Sequence, residues 1–460
     1  FKFYSINNIS DGDSDGANVT DPVTGEKVDN DNANWYWTRV RLYFDAIGSE
    51  YVKVSTKLEM DNIFGKEGKL AQDTKTVEVK NIFLNFAIPD TPVSFNVGAA
   101  GWKVDRAGYV LNDDVPTINA LMKFDPVLVN VGWARIGDNA QKNGGWTPFN
   151  NGDNVDYFAG SVQYVQEQFI VGLNAGWIMT KSGGLFGSSY ASAIGSSDVN
   201  VDAAGDPVYE NKDLNLLLLS LDFTWNADFW SVYATGLMNA GKDEGFRQTD
   251  TGLTTGTEIE DEIKYSGYLF AAGGKAQFDQ WGVGLDFYMA SGDDDSTDDK
   301  YENPIVINPG SSLGVYNMDA IVMPGWFDDE NSAVTTTGGA ISNNTTSIKQ
   351  LGSGNSPPAN VWGIGARADF APMEKSMLEF GIAYFQFVED VLKYANDPAG
   401  STKDTKDLGF SMFARYSQGI VDGLTFKTEI GYLLAGDGYS ENTKSSDDAY
   451  KIGAGLFWSW

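Results

Sequence analysis

Apolar residues alternate with small or polar residues many times along this chain. The period of two is seen in VLVNVGWA (127–134), FIVGLNAGW (169–177), WGVGLDF (281–287), VWGIGARADF (361–370) and KIGAGLFWSW (451–460). Successive side chains of a β-strand point to opposite faces, so this period predicts strands with one apolar face and one polar face. A helical period of 3.6 is hard to find. The pattern therefore predicts an all-β protein.

Short and long connections alternate between these predicted strands. The short ones lie at 46–50, 88–92, 124–127, 166–168, 226–229, 278–281, 371–376 and 418–423. The long ones lie at about 10–33, 61–75, 103–114, 138–152, 181–212, 241–263, 292–358, 389–406 and 436–447. In an up-and-down meander, alternate connections lie at opposite ends of the sheet. One end therefore carries the short turns and the other carries the long loops.

This arrangement is typical of transmembrane β-barrels, which have short periplasmic turns and long external loops. The rhythm predicts about 18 antiparallel strands, with 16 as the alternative, in a single domain over residues 1–460. The alternation lasts roughly 9–13 residues in each strand, the length that a tilted strand needs to cross a bilayer. The apolar face is then expected to face lipid, and the polar face a water-filled lumen.

Aromatic residues supply a second indication. Lipid-facing aromatics collect where strands meet the membrane interface. The predicted girdle, on the apolar face near strand ends, consists of Trp133, Trp177, Trp225, Trp230, Trp281, Trp362, Trp458 and Trp460. The alternative is a soluble core with scattered aromatics, in which no preference for strand ends is expected.

Charged residues fall in mid-strand on the other face, where a dry core would have to desolvate them at several kcal/mol each. The predicted basic wall of the lumen consists of Arg39, Arg41, Lys53, Lys57, Lys123, Arg367, Arg415, Lys427 and Lys451. Closure of a barrel would bring the first and last strands together and join these residues into one wall. The alternative is local pairing with acidic neighbours, such as Lys57 with Glu59 and Lys427 with Glu429.

Composition restricts the function. The 460 residues carry a formal net charge of −31, with most of the acidity in polar segments such as 11–31 and 292–302. Such a balance argues against nucleic acid as a partner. The chain has no Cys and no His, which excludes cysteine nucleophiles and zinc-thiolate sites and removes the commonest general base and the commonest metal ligand. We expect no enzymatic activity.

The strand rhythm, the aromatic girdle, the acidic loops and the terminal KIGAGLFWSW (451–460) together resemble a Gram-negative outer-membrane porin. The resemblance implies an integral outer-membrane channel, a diffusion porin, for passive diffusion of small hydrophilic solutes and ions. It also implies contact with lipopolysaccharide, a homotrimer, and recognition of the C-terminal strand by the barrel-assembly machinery, with Trp460 at the position usually held by Phe. A basic constriction would favour anions mildly.

Two alternatives stay open. One is a substrate-specific channel for sugars or small carboxylates. The other is a soluble or surface adhesin-like β protein.

Porins of this kind place acidic residues of an inward-folded loop opposite the basic wall. The third connection here, 103–114, is short, and the longest is the external loop 292–358, with an apolar stretch at 315–330. We expect this stretch to fold into or over the pore and to present Asp319, Asp328, Asp329 and Glu330. Capping of a neighbouring loop or subunit is the alternative, and segment 181–212 is a rival plug.

No cofactor is expected. The segment DGDSDG (11–16) is similar to the first half of a calcium-binding loop, but position twelve of such a loop would be Pro22. A complete EF-hand is excluded. Weak Ca²⁺ binding by Asp11, Asp13 and Asp15 is predicted as one possibility, and a solvated run of charge is the other.

Overall fold

The computed structural model describes residues 2–7, 32–63, 77–138, 154–181, 213–243, 263–292, 300–307, 346–347, 360–389, 406–436 and 448–459. Within these residues the chain forms only strands and turns. The strands are β1 (Lys2–Asn7), β2 (Asn32–Ser49), β3 (Val52–Ile63), β4 (Glu78–Ala87), β5 (Val93–Lys103), β6 (Asn112–Phe124), β7 (Val127–Asp138), β8 (Asn154–Val165), β9 (Phe169–Lys181), β10 (Asp213–Asn226), β11 (Trp230–Asp243), β12 (Ile263–Tyr265), β13 (Tyr268–Phe278), β14 (Trp281–Ala290), β15 (Lys300–Tyr301), β16 (Ile305–Val306), β17 (Thr346–Ser347), β18 (Val361–Phe370), β19 (Ser376–Phe387), β20 (Asp407–Val421), β21 (Leu424–Ala435) and β22 (Ala449–Trp458).

The long strands pair with their neighbours in chain order, and every such pair is antiparallel. β1 pairs with β2 on one side and with β22 on the other, so the ring of pairings closes as a barrel. Omitting the short strands β12, β15, β16 and β17, the ring contains 18 strands in the described part of the chain. The prediction of an all-β up-and-down barrel is confirmed, with 18 strands rather than 16.

The two faces of the wall have inverted polarity compared with a soluble protein. In β10 the side chain of Leu221 is 57 % exposed, whereas that of the adjacent Asp222 is 3 % exposed. The same alternation runs through β14, where Val283 and Leu285 are exposed and Asp286 is buried. Large apolar side chains thus cover the outside of the barrel, and polar side chains line the inside. No helix among the described residues is long and apolar enough to cross a membrane.

The hairpin formed by β5 and β6 leaves the wall before its tip. β5 pairs with β4 only as far as Ala99, and β6 pairs with β7 only from Thr117 onward, while the two strands stay paired with each other up to Lys103 and Asn112. Gly98 lies at the departure point with φ of 131°. A side chain there would place its Cβ 2.5 Å from the carbonyl oxygen of Ile82, so this close approach requires glycine.

The freed part of the hairpin, residues 100–116, folds into the barrel; we call it the lumenal hairpin. Its tip is nearly dry, since Tyr109, Val110 and Leu111 are completely buried. These side chains belong to one apolar cluster with Leu216 of β10 and Ile305 of β16. The lumen therefore contains a packed core on one side.

Candidate functional site

The lumenal hairpin is held in shape by one carboxylate. Asp105 accepts hydrogen bonds from the backbone N–H groups of Tyr109 at 2.9 Å and Val110 at 2.8 Å, and a longer one from Leu111 at 3.4 Å. Burial, together with the nearby Asp222 carboxylate, raises the pKa of the Asp105 carboxyl to about 7, although the three N–H bonds act in the opposite direction. The carboxyl therefore changes its charge near neutral pH.

Asp222 of β10 attaches the lumenal hairpin to the wall. Its Oδ2 accepts hydrogen bonds from the backbone N–H of Arg106 at 2.9 Å and from the side-chain amide of Asn174 at 2.8 Å. Its Oδ1 accepts a short hydrogen bond from the hydroxyl of Thr235. Three donors on two oxygens compensate for the burial of this charge.

Two further contacts fasten the tip. The hydroxyl of Tyr157 in β8 donates to the carbonyl oxygen of Val110 at 2.5 Å. The backbone N–H of Ile307, which follows β16, donates to the carbonyl oxygen of Tyr109 at 3.0 Å. A part of the seventh long connection therefore also enters the lumen and joins the lumenal hairpin.

Asn239 of β11 binds that seventh-loop segment as a strand would. Its amide donates to the carbonyl oxygen of Ile305 at 3.0 Å, and its carbonyl accepts from the N–H of the same residue at 2.6 Å. One side chain thus satisfies both backbone groups of a buried residue. Together the lumenal hairpin and segment 303–307 form an inner layer against the β8–β14 side of the barrel.

The first half of the predicted basic wall lies around a single carboxylate on β3. Glu59 is buried, and it forms ion pairs with Arg39 at 3.4 Å, with Lys80 at 3.3 Å and with Arg41 at a shorter distance. Lys57 lies two residues away, with its Nζ 5.7 Å from the centre of the Tyr43 ring. Three cations thus contact one carboxylate here.

In the second half of the predicted basic wall, the cations are more nearly balanced by carboxylates. Arg415 of β20 is buried between Glu429 at 3.2 Å and Glu379 at 3.8 Å. Arg367 pairs with Asp286 at 3.3 Å. Lys275, a lumen-face residue outside the predicted wall set, pairs with the buried Asp369 at 2.9 Å. Local pairing therefore describes much of this wall.

The remaining predicted wall residues are spread along the barrel. Lys53 pairs with Asp45 at 3.1 Å, and Lys123 is exposed at the short-turn end of β6. Lys427 lies 4.9 Å from the centre of the Phe457 ring. Lys451 lies in β22, opposite β1, but its side chain is outside the described part of the chain. The two halves of the wall are separated by β22 and β1 only.

Glycines on neighbouring strands leave space in which the charged side chains of the wall lie against the inner surface of the barrel. A side chain at Gly284 would approach the guanidinium of Arg367 to 2.7 Å. At Gly273 and Gly282 it would collide with the carboxylates of Asp286 and Asp369. The charged groups therefore lie along the wall, and their reach toward the lumen axis is reduced.

The described tryptophans of the predicted aromatic girdle form two groups, one at the short-turn ends of strands and one in the long-loop halves of strands. Trp225 and Trp230 face each other across a short turn at 5.9 Å, and Trp281 stacks on Phe370 at 4.2 Å. Trp458 is also at the short-turn end and is exposed. Trp133, Trp177 and Trp362 lie nearer the long-loop ends of β7, β9 and β18. Trp460 lies outside the described residues.

The predicted acidic constriction of Asp319, Asp328, Asp329 and Glu330 and the rival segment 181–212 lie outside the described residues, as do Asp11, Asp13 and Asp15. Among the described residues, no group of three or more acidic side chains could hold a metal ion. The short length of the third connection gives no sign that it folds into the lumen. Its apolar residues Val104, Tyr109 and Leu111 were the available signal.

Comparison with known proteins gives structural likeness only. No family model and no curated protein sequence matches the chain. Among solved structures, OccK11 (OpdR) of Pseudomonas aeruginosa is similar with 10 % identity, a TM-score of 0.48, and coverage of 99 % of this chain and 93 % of that one. OccAB4 of Acinetobacter baumannii has 8 % identity, a TM-score of 0.48, and coverage of 99 % and 96 %. The outer membrane protein OprD of Pseudomonas aeruginosa has 9 % identity, a TM-score of 0.44, and coverage of 99 % and 92 %.

Proposed function

We propose that this chain is a porin of a bacterial outer membrane, a channel for passive diffusion of small hydrophilic solutes and ions. The observation that carries the proposal is the inverted polarity of the closed barrel. An outer surface of exposed side chains such as Leu221, Leu285 and Trp281 is stable in lipid and unfavourable in water. An inner surface that holds many charges is stable only where water or partners solvate them.

The expected path follows from the position of the inner layer. The lumenal hairpin packs against Tyr157 and Asp222 on the β8–β11 side. The charged wall around Glu59 and Arg415 lies on β2, β3, β20 and β21. Eighteen strands enclose more space than side chains fill. Solutes would therefore pass between the lumenal hairpin and this wall.

Ion selectivity is expected to depend on the mouths more than on the wall. Most wall cations contact a carboxylate, as described above, so the anion preference expected from a basic wall is weakened. Every short turn carries an exposed carboxylate: Glu50, Asp90, Asp125, Glu167, Asp228, Asp279, Glu374 and Asp422. Lys375 at this rim pairs with Asp422 at 2.9 Å. A ring of acidic side chains at a pore mouth favours cations. We therefore propose a cation preference instead.

The salt dependence of this preference is a sharp test. Strand spacing and tilt give a barrel radius of roughly 18 Å. The Debye length is about 10 Å at 0.1 M salt and about 30 Å at 0.01 M. The field of the rim should therefore reach the axis at 0.01 M and be screened at 1 M.

The experiment measures reversal potentials across a tenfold KCl gradient at low and at high salt, in purified protein in planar bilayers. Cation preference should be strong at low salt and should fall when the eight rim carboxylates are changed to amides. A matched control neutralises the outward-facing pair Arg135 and Asp156, which should change nothing. Anion preference at low salt in the unaltered protein would refute the proposal for the rim.

Contacts with lipopolysaccharide, a homotrimer and recognition by the barrel-assembly machinery remain proposals that accompany the porin assignment. Absence of enzymatic activity is part of the same proposal. Channel activity is tested directly by swelling of proteoliposomes in sugars of increasing size. A porin should admit small sugars and exclude large ones, whereas an adhesin-like barrel should admit none.

A further inference from the structure

Arg106 differs from the other arginines that the structure describes. Five of these six arginines have a carboxylate oxygen within 4 Å: Arg39, Arg41, Arg135, Arg367 and Arg415. Arg106, on the lumenal hairpin, forms no ion pair with any described residue. An arginine is always charged, so a cation is held inside the barrel without a carboxylate of the described chain.

The position of Arg106 is fixed although its guanidinium has no carboxylate partner. Its backbone N–H is bonded to Asp222 at 2.9 Å. Its guanidinium carbon lies 5.4 Å from the centre of the Tyr233 ring. The hydroxyl of Tyr233 is bonded to Asp286 at 2.9 Å, which restricts rotation of that ring. The guanidinium is therefore oriented by a fixed backbone on one side and a fixed aromatic face on the other.

The guanidinium of Arg106 donates no hydrogen bond to a described residue. Its Nη1 is buried and has no hydrogen-bond partner among the described residues. The residue as a whole is only half-buried, so part of it faces the lumen. Buried donors are usually satisfied, and one left without a partner calls for an explanation.

We propose that Arg106 binds the carboxylate of a solute that passes through the barrel. A guanidinium presents donors in a planar fork that matches a carboxylate, and such bonds are among the strongest. Because the rim of the barrel is acidic, polyanions are disfavoured at the mouth, and the class that fits is monocarboxylates and zwitterions. This inference depends on the proposed channel function and adds a substrate class to it.

The test compares two solutes of nearly the same size and shape, gluconate and sorbitol, which differ in a carboxylate. Each is added to single channels in planar bilayers, and the concentration that halves the current is measured. Gluconate should act at a concentration about tenfold or more below that of sorbitol, because one charge-assisted contact is worth at least that factor. Equal concentrations for the two solutes would overturn the inference.

Variants locate the effect. Arg106→Gln should remove the difference between gluconate and sorbitol, and Arg106→Lys, which keeps the charge but loses the fork, should retain only part of it. The matched control is Arg135→Gln, on the outer surface, which should retain all of it. Loss of the difference in Arg135→Gln, or its full retention in Arg106→Gln, contradicts the assignment.

Two further readouts separate the possible failures. Since the chain has no cysteine, Ala107→Cys gives one thiol next to Arg106, and its labelling rate reports whether the lumenal hairpin stays in place. If Arg106→Gln raises this labelling rate, the lumenal hairpin has moved in that variant, and the Arg106→Lys variant then decides whether the guanidinium binds gluconate. Full gluconate preference in Arg106→Lys overturns the role of the guanidinium fork. A protein without any channel conductance would refute the proposed function itself, whereas conductance without gluconate preference would refute only this inference.

Discussion

Replacing Asp105 by Asn should make attachment of the lumenal hairpin independent of pH. In the attached state the pKa of Asp105 is about 7, compared with 3.8 for an ordinary aspartate. The titratable groups that face Asp105 are the Asp222 carboxylate of β10 and the phenols of Tyr109 and Tyr157. Arg106 is the next residue in the sequence and carries the nearby positive charge. Tyrosine phenols stay neutral and a guanidinium stays charged between pH 4 and pH 8.

The direction of the pH dependence follows from the linkage between proton binding and attachment of the lumenal hairpin. A carboxyl with a raised pKa binds its proton more tightly in the attached hairpin than in a detached one. Attachment is therefore strongest below about pH 4, weakens as the pH rises through 7, and is constant above that. The difference of about three units corresponds to about 4 kcal/mol, since each unit is worth 1.36 kcal/mol. The amide introduced by Asp105→Asn carries no charge and removes this dependence. It keeps one oxygen, which accepts the N–H bonds of residues 110 and 111, and it loses the separate bond from residue 109.

Thiol labelling measures this attachment. The buried Ala107 is changed to Cys in the native and the Asp105→Asn backgrounds, and labelling rates are measured from pH 5 to pH 9. Each rate is divided by that of Cys introduced at the exposed Asp90, which corrects for thiol ionisation. The ratio should rise up to about pH 7 and then level off in the native background, and it should stay flat in the Asp105→Asn background. A flat ratio in both, or a ratio that falls with rising pH, would refute the reasoning.

Three other substitutions test separate contacts. Glu429→Gln leaves the buried Arg415 with a weaker partner and should destabilise the barrel by about 3 kcal/mol or more, seen as a lower temperature of its heat-dependent shift in gel mobility. Tyr157→Phe removes the hydrogen bond to the hairpin tip. Because such a bond contributes about 1 kcal/mol or slightly more, labelling at position 107 should become about tenfold faster. An unchanged labelling rate would mean that the bond contributes nothing. Gly273→Ala should destabilise by about 1–3 kcal/mol because its methyl group collides with Asp286, and a stability equal to that of the native barrel would contradict the packing.

The barrel could be predicted from the sequence because its signals are local. The period of two in segments such as 281–287 reports which side of a strand faces which medium, and turn lengths report the direction of the chain. Closure could also be anticipated, since a wall of this kind has no stable open edge in lipid. These features do not depend on which distant residues meet.

The lumenal hairpin could not be predicted in the same way. Its tip is buried by contacts with Asp222 and Ile307, which are more than 100 residues away in the chain, and nothing local fixes that meeting. One signal was present in β10, where Leu214, Leu216 and Leu218 interrupt an otherwise polar inner face. An apolar patch inside a barrel indicates that some segment covers it, but the pattern does not identify the segment.

The period of two assigns the wall charges to one face of the strands, but their pairing cannot be read from spacing. Glu59 attracts Arg39 from another strand and Lys80 from a third. Such partners depend on strand register and on glycines that make room, as at Gly282 beside Asp369. A count of charges along the sequence therefore does not show which wall cations contact a carboxylate.

The most direct test of the central claim is single-channel conductance of the purified barrel in a planar lipid bilayer. A water-filled path between the lumenal hairpin and the charged wall predicts stepwise insertion events with a stable conductance that rises in proportion to KCl concentration at high salt. A correctly folded, heat-modifiable barrel that inserts into the bilayer yet conducts no ions would contradict the account.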